Sequence, residues 1–303
     1  LNQMQNSDIS IIIISYNTKQ ITTDCLNSII KSFRNSPIKY EIIIVDNNSK
    51  DESTTMLKSF EKKHPEIIKV ILNTENTGFG KANNQGVKIA KSDYILLLNS
   101  DTVTLDNSIE KLLNYFKENE YDSHFVGAKL FNKDMTEQSS AAPFFTLPVV
   151  FAALFLKGDY WGLTRSSPNN VRQVDWVSGA CIMTKKEFYN KVSGFDESVF
   201  MYMDEVDLLY RAKQKNLNTY FYPGAKFIHI GFASSGSKSY PVVQVFKGLI
   251  FFYKKHYSKW AYFWLLIMLK LKAKVSLLIG KLSKNNYLIN TYENALKMVS
   301  MAR

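Results

Sequence analysis

The sequence predicts an α/β fold: a mostly parallel sheet flanked by helices, followed by a C-terminal helical extension. Short β-branched and apolar runs alternate with segments whose apolar residues recur at helical spacing. The apolar runs are continuous, as in strands buried on both faces of a parallel sheet. The sharpest run, Tyr94 to Leu98, ends abruptly in Asn99-Ser100-Asp101, a polar cluster that closes on a carboxylate.

Ile9 to Ile14 reads as the first strand, and Cys25, Leu26, Ile29, Ile30 and Phe33 mark one face of the helix after it. Glu41 to Val45 is the second strand, and Ser49-Lys50-Asp51-Glu52 fits a capping box that opens a helix. Val70 to Leu72 is a short third strand, followed by a helix over Gly80 to Ala90. Tyr94 to Leu98 is the fourth strand, and Leu105 to Phe116 is a helix with its apolar face on Ile109, Leu112, Leu113 and Phe116. Right-handed crossovers then bring the carboxyl ends of all four strands to one edge of the sheet. Beyond this half the pattern changes. Phe125 to Leu130 and Val174 to Thr184 predict further strands. Ala141 to Asn170 between them lacks clear periodicity, and so long a loop is usually functional or mobile. Its apolar run, Val149 to Leu156, predicts a short buried helix, with a lid over an acceptor as the alternative.

The 303 residues suffice for one large domain or two small ones. The expected division is a catalytic domain over 1–246, with halves at 8–116 and 117–246, and a basic amphipathic helical tail over 247–303. The net charge of +11 is concentrated in that tail, which has eleven Lys/Arg against one acid, Glu293. Cys25 and Cys181, the only cysteines, sit in apolar surroundings and predict inert buried thiols in a reducing compartment. The start of the chain, Leu1 to Asp8, shows no signal-peptide pattern. The apolar run Ala261 to Leu269 falls short of the roughly 20 residues a spanning helix needs. The expected location is cytoplasmic, on the inner face of the cell membrane.

Four polar clusters follow the four predicted strands: Ser15-Tyr16-Asn17, Asp46-Asn47-Asn48-Ser49, Asn76-Thr77-Gly78-Phe79-Gly80 and Asn99-Ser100-Asp101. One such cluster is an ordinary turn, but four on a single rim indicate a site, because open α/β sheets bind ligands there. Asp46 can accept hydrogen bonds from a base or a ribose. Asp101, a hard oxygen ligand, suits Mg²⁺ or Mn²⁺ bridging the phosphates of a nucleotide, although a strand-ending turn is the plainer account. No Gly-x-Gly-x-x-Gly follows the first strand and no P-loop occurs, which argues against dinucleotide oxidoreductases and P-loop NTPases. A second cluster, Phe200-Met201-Tyr202-Met203-Asp204-Glu205-Val206-Asp207-Leu208, crowds three acids at the start of a helix running to about Asn216. Such acids complement a helix dipole, but their mutual repulsion can also raise a carboxylate toward the working range of a general base. Asp207 and Arg211 are spaced to pair. His229, near the end of the last predicted strand, is either a hydrogen-bonded core residue or a second metal ligand.

In this order, these clusters resemble family 2 glycosyltransferases of the GT-A fold, most closely the bacterial rhamnosyltransferase-like branch. Asn83-Asn84-Gln85-Gly86, Trp176-Val177-Ser178-Gly179-Ala180 and Gly194-Phe195-Asp196-Glu197 extend the likeness, which covers about residues 8 to 236. The resemblance implies a GT-A fold with a nucleotide-binding sheet. It implies that Asp101 is the metal-binding acid of a DXD-type motif whose first position is Asn99, and that His229 serves the metal and diphosphate. It implies donor contacts from Ser15, Tyr16, Asn17, Asp46, Asn48, Asn76, Gly78, Phe79, Asn83, Asn99, Ser100, Trp176, Gly179 and Ala180. Glu205 falls at the catalytic-base position with Asp204 beside it, in the order Asp-Glu where the family more often has Glu-Asp. The activity implied is inverting sugar transfer from a nucleoside diphosphate, with Mg²⁺ or Mn²⁺, to a glycan or lipid-linked glycan in cell-surface polysaccharide synthesis. Rhamnose from dTDP-rhamnose is the expected donor, and UDP-hexoses and UDP-N-acetylhexosamines are the alternatives.

In the tail, Trp260, Phe263, Trp264, Ile267 and Leu271 lie at helical spacing beside Lys270, Lys272 and Lys274. This pattern suits a helix lying on an anionic membrane surface. Packing on the catalytic domain, or a homodimer through the same face, are the competing readings. A nucleic-acid-binding protein is disfavoured by the near-neutral body, and a silent sugar-nucleotide-binding module by the crowded acids. A sugar-nucleotide pyrophosphorylase is disfavoured by the missing Gly-rich basic loop.

Overall fold

The computed structural model describes residues 7–199, 202–231 and 239–302, without the side chains of 239–241. The expectations that fall on Phe200, Met201 and residues 232–236 lie outside the described residues. Two compact units emerge. One holds residues 7–142, 166–199 and 204–231; the other holds residues 143–165, 202–203 and 239–302.

The first unit opens in strict alternation: β1 (Ile9–Ser15), α1 (Lys19–Ser32), β2 (Tyr40–Asp46), α2 (Ser53–Lys63), β3 (Ile68–Leu72), α3 (Phe79–Ile89) and β4 (Tyr94–Asn99). These strands lie in the order β3-β2-β1-β4, all parallel. Then come β5 (Thr102–Thr104), α4 (Ser108–Asn119), β6 (Phe125–Phe131), β7 (Glu137–Gln138) and β8 (Ala141–Ala142). α5 (Leu147–Phe155) belongs to the second unit. The first unit resumes with β9 (Arg172–Val174), β10 (Trp176–Val177), β11 (Cys181–Lys185), α6 (Lys186–Lys191), α7 (Asp204–Gln214) and β12 (Thr219–His229). β11 inserts antiparallel between β4 and β6, β12 runs parallel to β6, and β5 closes that side of the sheet. The second unit is completed by α8 (Ser239–His256), α9 (Lys259–Leu282) and α10 (Asn286–Met301).

Apolar side chains fill both faces of the sheet. Ile9, Ile11, Ile13, Ile42, Ile44, Leu96 and Leu98 join Cys25, Leu26 and Ile29 of α1 and the four predicted apolar residues of α4 in one core. On the other face Gly86 of α3 lies so close to β1 that an added Cβ would stand 2.5 Å from Ile12 Cγ2. Both cysteines are buried as expected, and burial pushes the Cys25 thiol up to about 12.

Three local expectations fail for identifiable reasons. The capping box at Ser49 does not form; α2 starts at Ser53 without a side-chain cap, because the Ser49 hydroxyl donates to Asp46 instead. The single strand expected over Val174 to Thr184 is broken into pieces by a turn at Ser178-Gly179-Ala180. A helix, α5, does form over most of the apolar run, starting two residues before it, but Val150 is its only fully buried residue, so it is not the buried helix expected. The tail is helical, as α8, α9 and α10. Ser258 caps a new helix, α9, its Oγ accepting from the Ala261 N–H.

Candidate active site

The sheet register lines up the predicted clusters. Ser15 pairs with Asp46, Asp46 with Leu72, and Ile14 with Asn99, so the first, second and fourth clusters leave the sheet at the same level. The third follows β3 within a few residues.

Asp46 is fully buried, and its carboxylate accepts from the Ser49 N–H at 2.9 Å and the Ser49 hydroxyl at 2.6 Å. Ser49 Oγ accepts in turn from the Asn17 N–H at 2.8 Å, and Asn17 Oδ1 accepts from the Lys50 N–H at 2.6 Å. Asn17 and Asn48 take left-handed backbone angles, φ 53° and 66°, which asparagine tolerates better than most residues. The β1 and β2 turns are thus tied together. Ser15 Oγ is buried without a hydrogen-bond partner, an unusual state for a hydroxyl. Tyr16 is half-buried beside it.

In the third cluster the Gly78 N–H donates to Asn76 Oδ1 at 3.0 Å, with Gly78 at φ 84°, a conformation that favours glycine. Asn47 Nδ2 donates to the Gly78 carbonyl at 3.1 Å. Phe79 meets Phe195 edge-on. Asn83 is buried and donates to the Phe79 carbonyl at 3.0 Å, a bond within its own helix. Its neighbour Asn84 binds Tyr189 and both backbone groups of Phe195, so it anchors the Gly194-Phe195 turn.

At the fourth cluster Asp101 is 8 % exposed and Ser100 is buried. Asp101 Oδ2 accepts from the Gly231 N–H at 3.0 Å, and Asp101 Oδ1 lies 3.4 Å from His229 Nε2. Asn99 Nδ2 also lies 3.4 Å from that nitrogen. The other ring nitrogen, Nδ1, lies 2.6 Å from Gln138 Oε1.

A chain of hydrogen bonds fixes the polarity of this contact. The Asp134 carboxylate accepts from the Thr136 hydroxyl at 2.6 Å. Thr136 Oγ1 therefore accepts from Asn132 Nδ2 at 2.9 Å, which leaves Asn132 Oδ1 to accept from Gln138 Nε2, also at 2.9 Å. Gln138 Nε2 donates as well to the His229 carbonyl, at 3.2 Å. Gln138 Oε1 must then accept from the Nδ1 proton. In the neutral ring Nε2 turns a lone pair toward Asp101, so two electron-pair donors face each other with no proton between them. Sequence reading missed Gln138. It lies in a two-residue strand, and only its pairing opposite Leu130 of β6 brings it near His229.

This donor set fits a divalent ion. Among the described residues no three His, Cys, Asp or Glu gather to hold a metal by themselves. Two ligands still suit Mg²⁺ or a similar ion, which fills its remaining positions with water and substrate phosphate. Neighbouring ligands on such an ion lie about 3 Å apart, near the separation of Asp101 and His229.

The three acids of α7 have different surroundings. Asp207 is buried and pairs with Arg211 Nε at 2.8 Å, and Arg211 also donates to the Val192 and Gly194 carbonyls. Asp204 is 3 % exposed, and its Oδ2 has no hydrogen-bond partner. Burial first, then the charges of Glu205 and Asp207, hold its carboxyl well above the usual aspartate range. Glu205 is the one partly exposed acid of the three. Its side chain lies over Gly179, where an added Cβ would stand 3.5–3.8 Å from Glu205 Cβ, Cγ and Cδ. The Ala180 carbonyl accepts from the Asn99 N–H at 3.0 Å. Gly179-Ala180 thus bridges Glu205 to the end of β4, with Trp176 buried just upstream.

The glycosyl transferase family 2 model matches residues 10–183. The chain is 33% identical to a poly(ribitol-phosphate) β-glucosyltransferase of Bacillus spizizenii over 114 residues, 38% of this chain and 18% of that protein. It is 23% identical to the rhamnosyltransferase WbbL of Escherichia coli over 228 residues, 72% of this chain and 82% of WbbL. The chain thus spans less than a fifth of the length of the first relative. Among solved structures, the mannosyltransferase PcManGT from Pyrobaculum calidifontis, in complex with GDP-Man and Mn²⁺, superposes with a TM-score of 0.57. That match has 13% identity and covers 98% of this chain and 85% of the other. The shared architecture is the GT-A fold. With the family model running over more than half of its length, the chain belongs to glycosyl transferase family 2.

Proposed function

We propose that the chain is an inverting, metal-dependent glycosyltransferase of cell-surface polysaccharide synthesis. It moves a sugar from a nucleoside diphosphate to a hydroxyl of a glycan or lipid-linked glycan, with the chemistry in residues 1–246. The facing pair of Asp101 Oδ1 and the His229 Nε2 lone pair, on the rim that also carries Ser15 and Asp46, supports this reading most directly. Mg²⁺ or Mn²⁺ held there supplies positive charge against the charge that grows on the departing diphosphate.

The chain's own groups do the rest. Asp46 has lone pairs left beyond its two bonds to Ser49 and accepts from the base or ribose. The unpartnered Ser15 hydroxyl gains a partner from the donor. The backbone at Gly78 and Phe79, with Tyr16, Asn17, Asn48, Asn76 and Asn83 around it, shapes the donor cleft. Asn99, Ser100, Trp176, Gly179 and Ala180 border the sugar. Glu205 takes the proton from an acceptor hydroxyl as its oxygen attacks the anomeric carbon, and the bond to the diphosphate breaks on the opposite face. Asp204 sits beside Glu205, its carboxyl held well above the usual aspartate range by burial and by the neighbouring charges.

dTDP-rhamnose is the first donor to try, in line with the likeness to a rhamnosyltransferase along most of both chains. The local 33% identity to a glucosyltransferase makes a UDP-hexose the second. A panel of nucleotide sugars, each with and without Mn²⁺, tests the proposal by thermal shift and by sugar transfer. A metal-dependent shift with one donor, followed by transfer with inverted configuration, is the expected result. No shift with any nucleotide sugar would refute it. The tail is assigned to an anionic membrane surface, where a lipid-linked acceptor would reside.

A further inference from the structure

We propose that α5 and the loop after it enter an anionic lipid surface together with α9, so that the membrane-facing surface is built from two separate stretches of chain. The proposal rests on the membrane assignment of the tail and extends it to residues 147–163.

α9 is apolar on two sides. Ala261, Leu265, Leu269, Ala273, Ser276 and Gly280 are buried inward. On the opposite side Trp260, Trp264, Ile267, Leu271, Val275, Leu278 and Leu282 recur three or four residues apart. They fall within about 80° of the helix circumference, yet are 38–78% exposed. The stripe runs about 36 Å along 24 residues. A contiguous apolar surface of that length marks an interaction site. No described helix is long and apolar enough to cross a membrane, so the stripe is suited to lying along one.

The second stretch continues the same surface. Leu147, Pro148, Phe151 and Leu156 line a shallow cleft with Trp260, Trp264 and Met268, and almost nothing polar faces into it. Tyr160, Trp161 and Leu163 follow in the loop and are 57–80% exposed. All of these residues belong to one compact unit.

Charge selects the occupant. Lys270, Lys274 and Lys281 run along one margin of the stripe and Lys272 along the other, and α9 contains no acid at all. A second copy of the chain docked through this stripe would set lysines against lysines with no carboxylate on the helix to answer them. An anionic headgroup layer answers them directly, while the aromatic side chains sit at the level of the headgroups.

The test is flotation of the full chain with vesicles of phosphatidylcholine alone or with phosphatidylglycerol added. The wild type is expected to float with the anionic vesicles only. Leu156→Glu/Trp161→Glu, outside the tail, should weaken that binding by about tenfold or more, as should Trp264→Glu/Leu271→Glu. Lys272→Glu/Lys274→Glu should lose about fivefold for each lysine. All these side chains are at least partly exposed, and an unchanged unfolding midpoint and an unchanged donor-induced thermal shift would show that the fold and the proposed donor site persist. Undiminished flotation of Leu156→Glu/Trp161→Glu would overturn the composite surface even if the tail variants lost binding. So would a wild type that ignores both vesicles and instead forms a dimer broken by the α9 changes.

Discussion

Replacing Gln138 by leucine tests the hydrogen-bond chain behind His229. The substitution removes the acceptor 2.6 Å from His229 Nδ1 and the donor to the His229 carbonyl, while nearly keeping side-chain volume. The imidazole is then free to carry its proton on Nε2, where it points at Asp101 and occupies the position a metal would take. Losing the outer partner of a metal-binding histidine typically costs 10–100-fold in affinity, or about 1.4–2.7 kcal/mol. Gln138→Glu keeps an acceptor opposite Nδ1 and should retain most of the affinity. The assay is a titration with Mn²⁺ in the presence of a nucleoside diphosphate, followed by the electron paramagnetic resonance of the free ion. Wild-type affinity in Gln138→Leu would show that the chain from Asp134 to His229 does not set the tautomer.

Glu205→Gln should lower turnover about 10²–10⁴-fold and leave the donor-induced thermal shift intact; full turnover would remove Glu205 from the role of base. Gly86→Ala should destabilise the fold by about 1–3 kcal/mol in denaturant unfolding, because the new methyl group meets Ile12. Asp204 holds its proton in the fold at pH values where the unfolded chain releases it. Its contribution to stability is therefore complete in acid and declines as pH rises from the usual aspartate range toward the raised value in the fold. Asp204→Asn should remove that decline, so its melting temperature should gain on the wild type as pH rises; parallel curves would contradict the raised value.

The alternating half of the fold was legible because strands covered on both faces need unbroken apolar runs, and Ile9 to Ile14 and Tyr94 to Leu98 supply them. Asp101 stood out because its carboxylate ends such a run. Ser49 misled because its hydroxyl serves both a local cap and a buried carboxylate three residues earlier, and the fold uses the second. The Ser178-Gly179 pair is an ordinary turn signal, but its place beside Glu205 comes from the packing of α7 and not from the sequence nearby. Gln138 carries no periodic signal; its place comes from a hairpin and a strand ninety-one residues later. α5 has the composition of a core helix and an exposed surface, a contrast that only the packing of the second unit reveals.

In the proposed mechanism Asp101 and His229 hold a divalent ion against the donor's diphosphate. Manganese binding by the wild type and by Asp101→Asn, each with saturating nucleoside diphosphate, decides whether they do. The wild type should bind the ion tightly, and the variant should bind none at the same concentration. Equal binding by the two would contradict that mechanism.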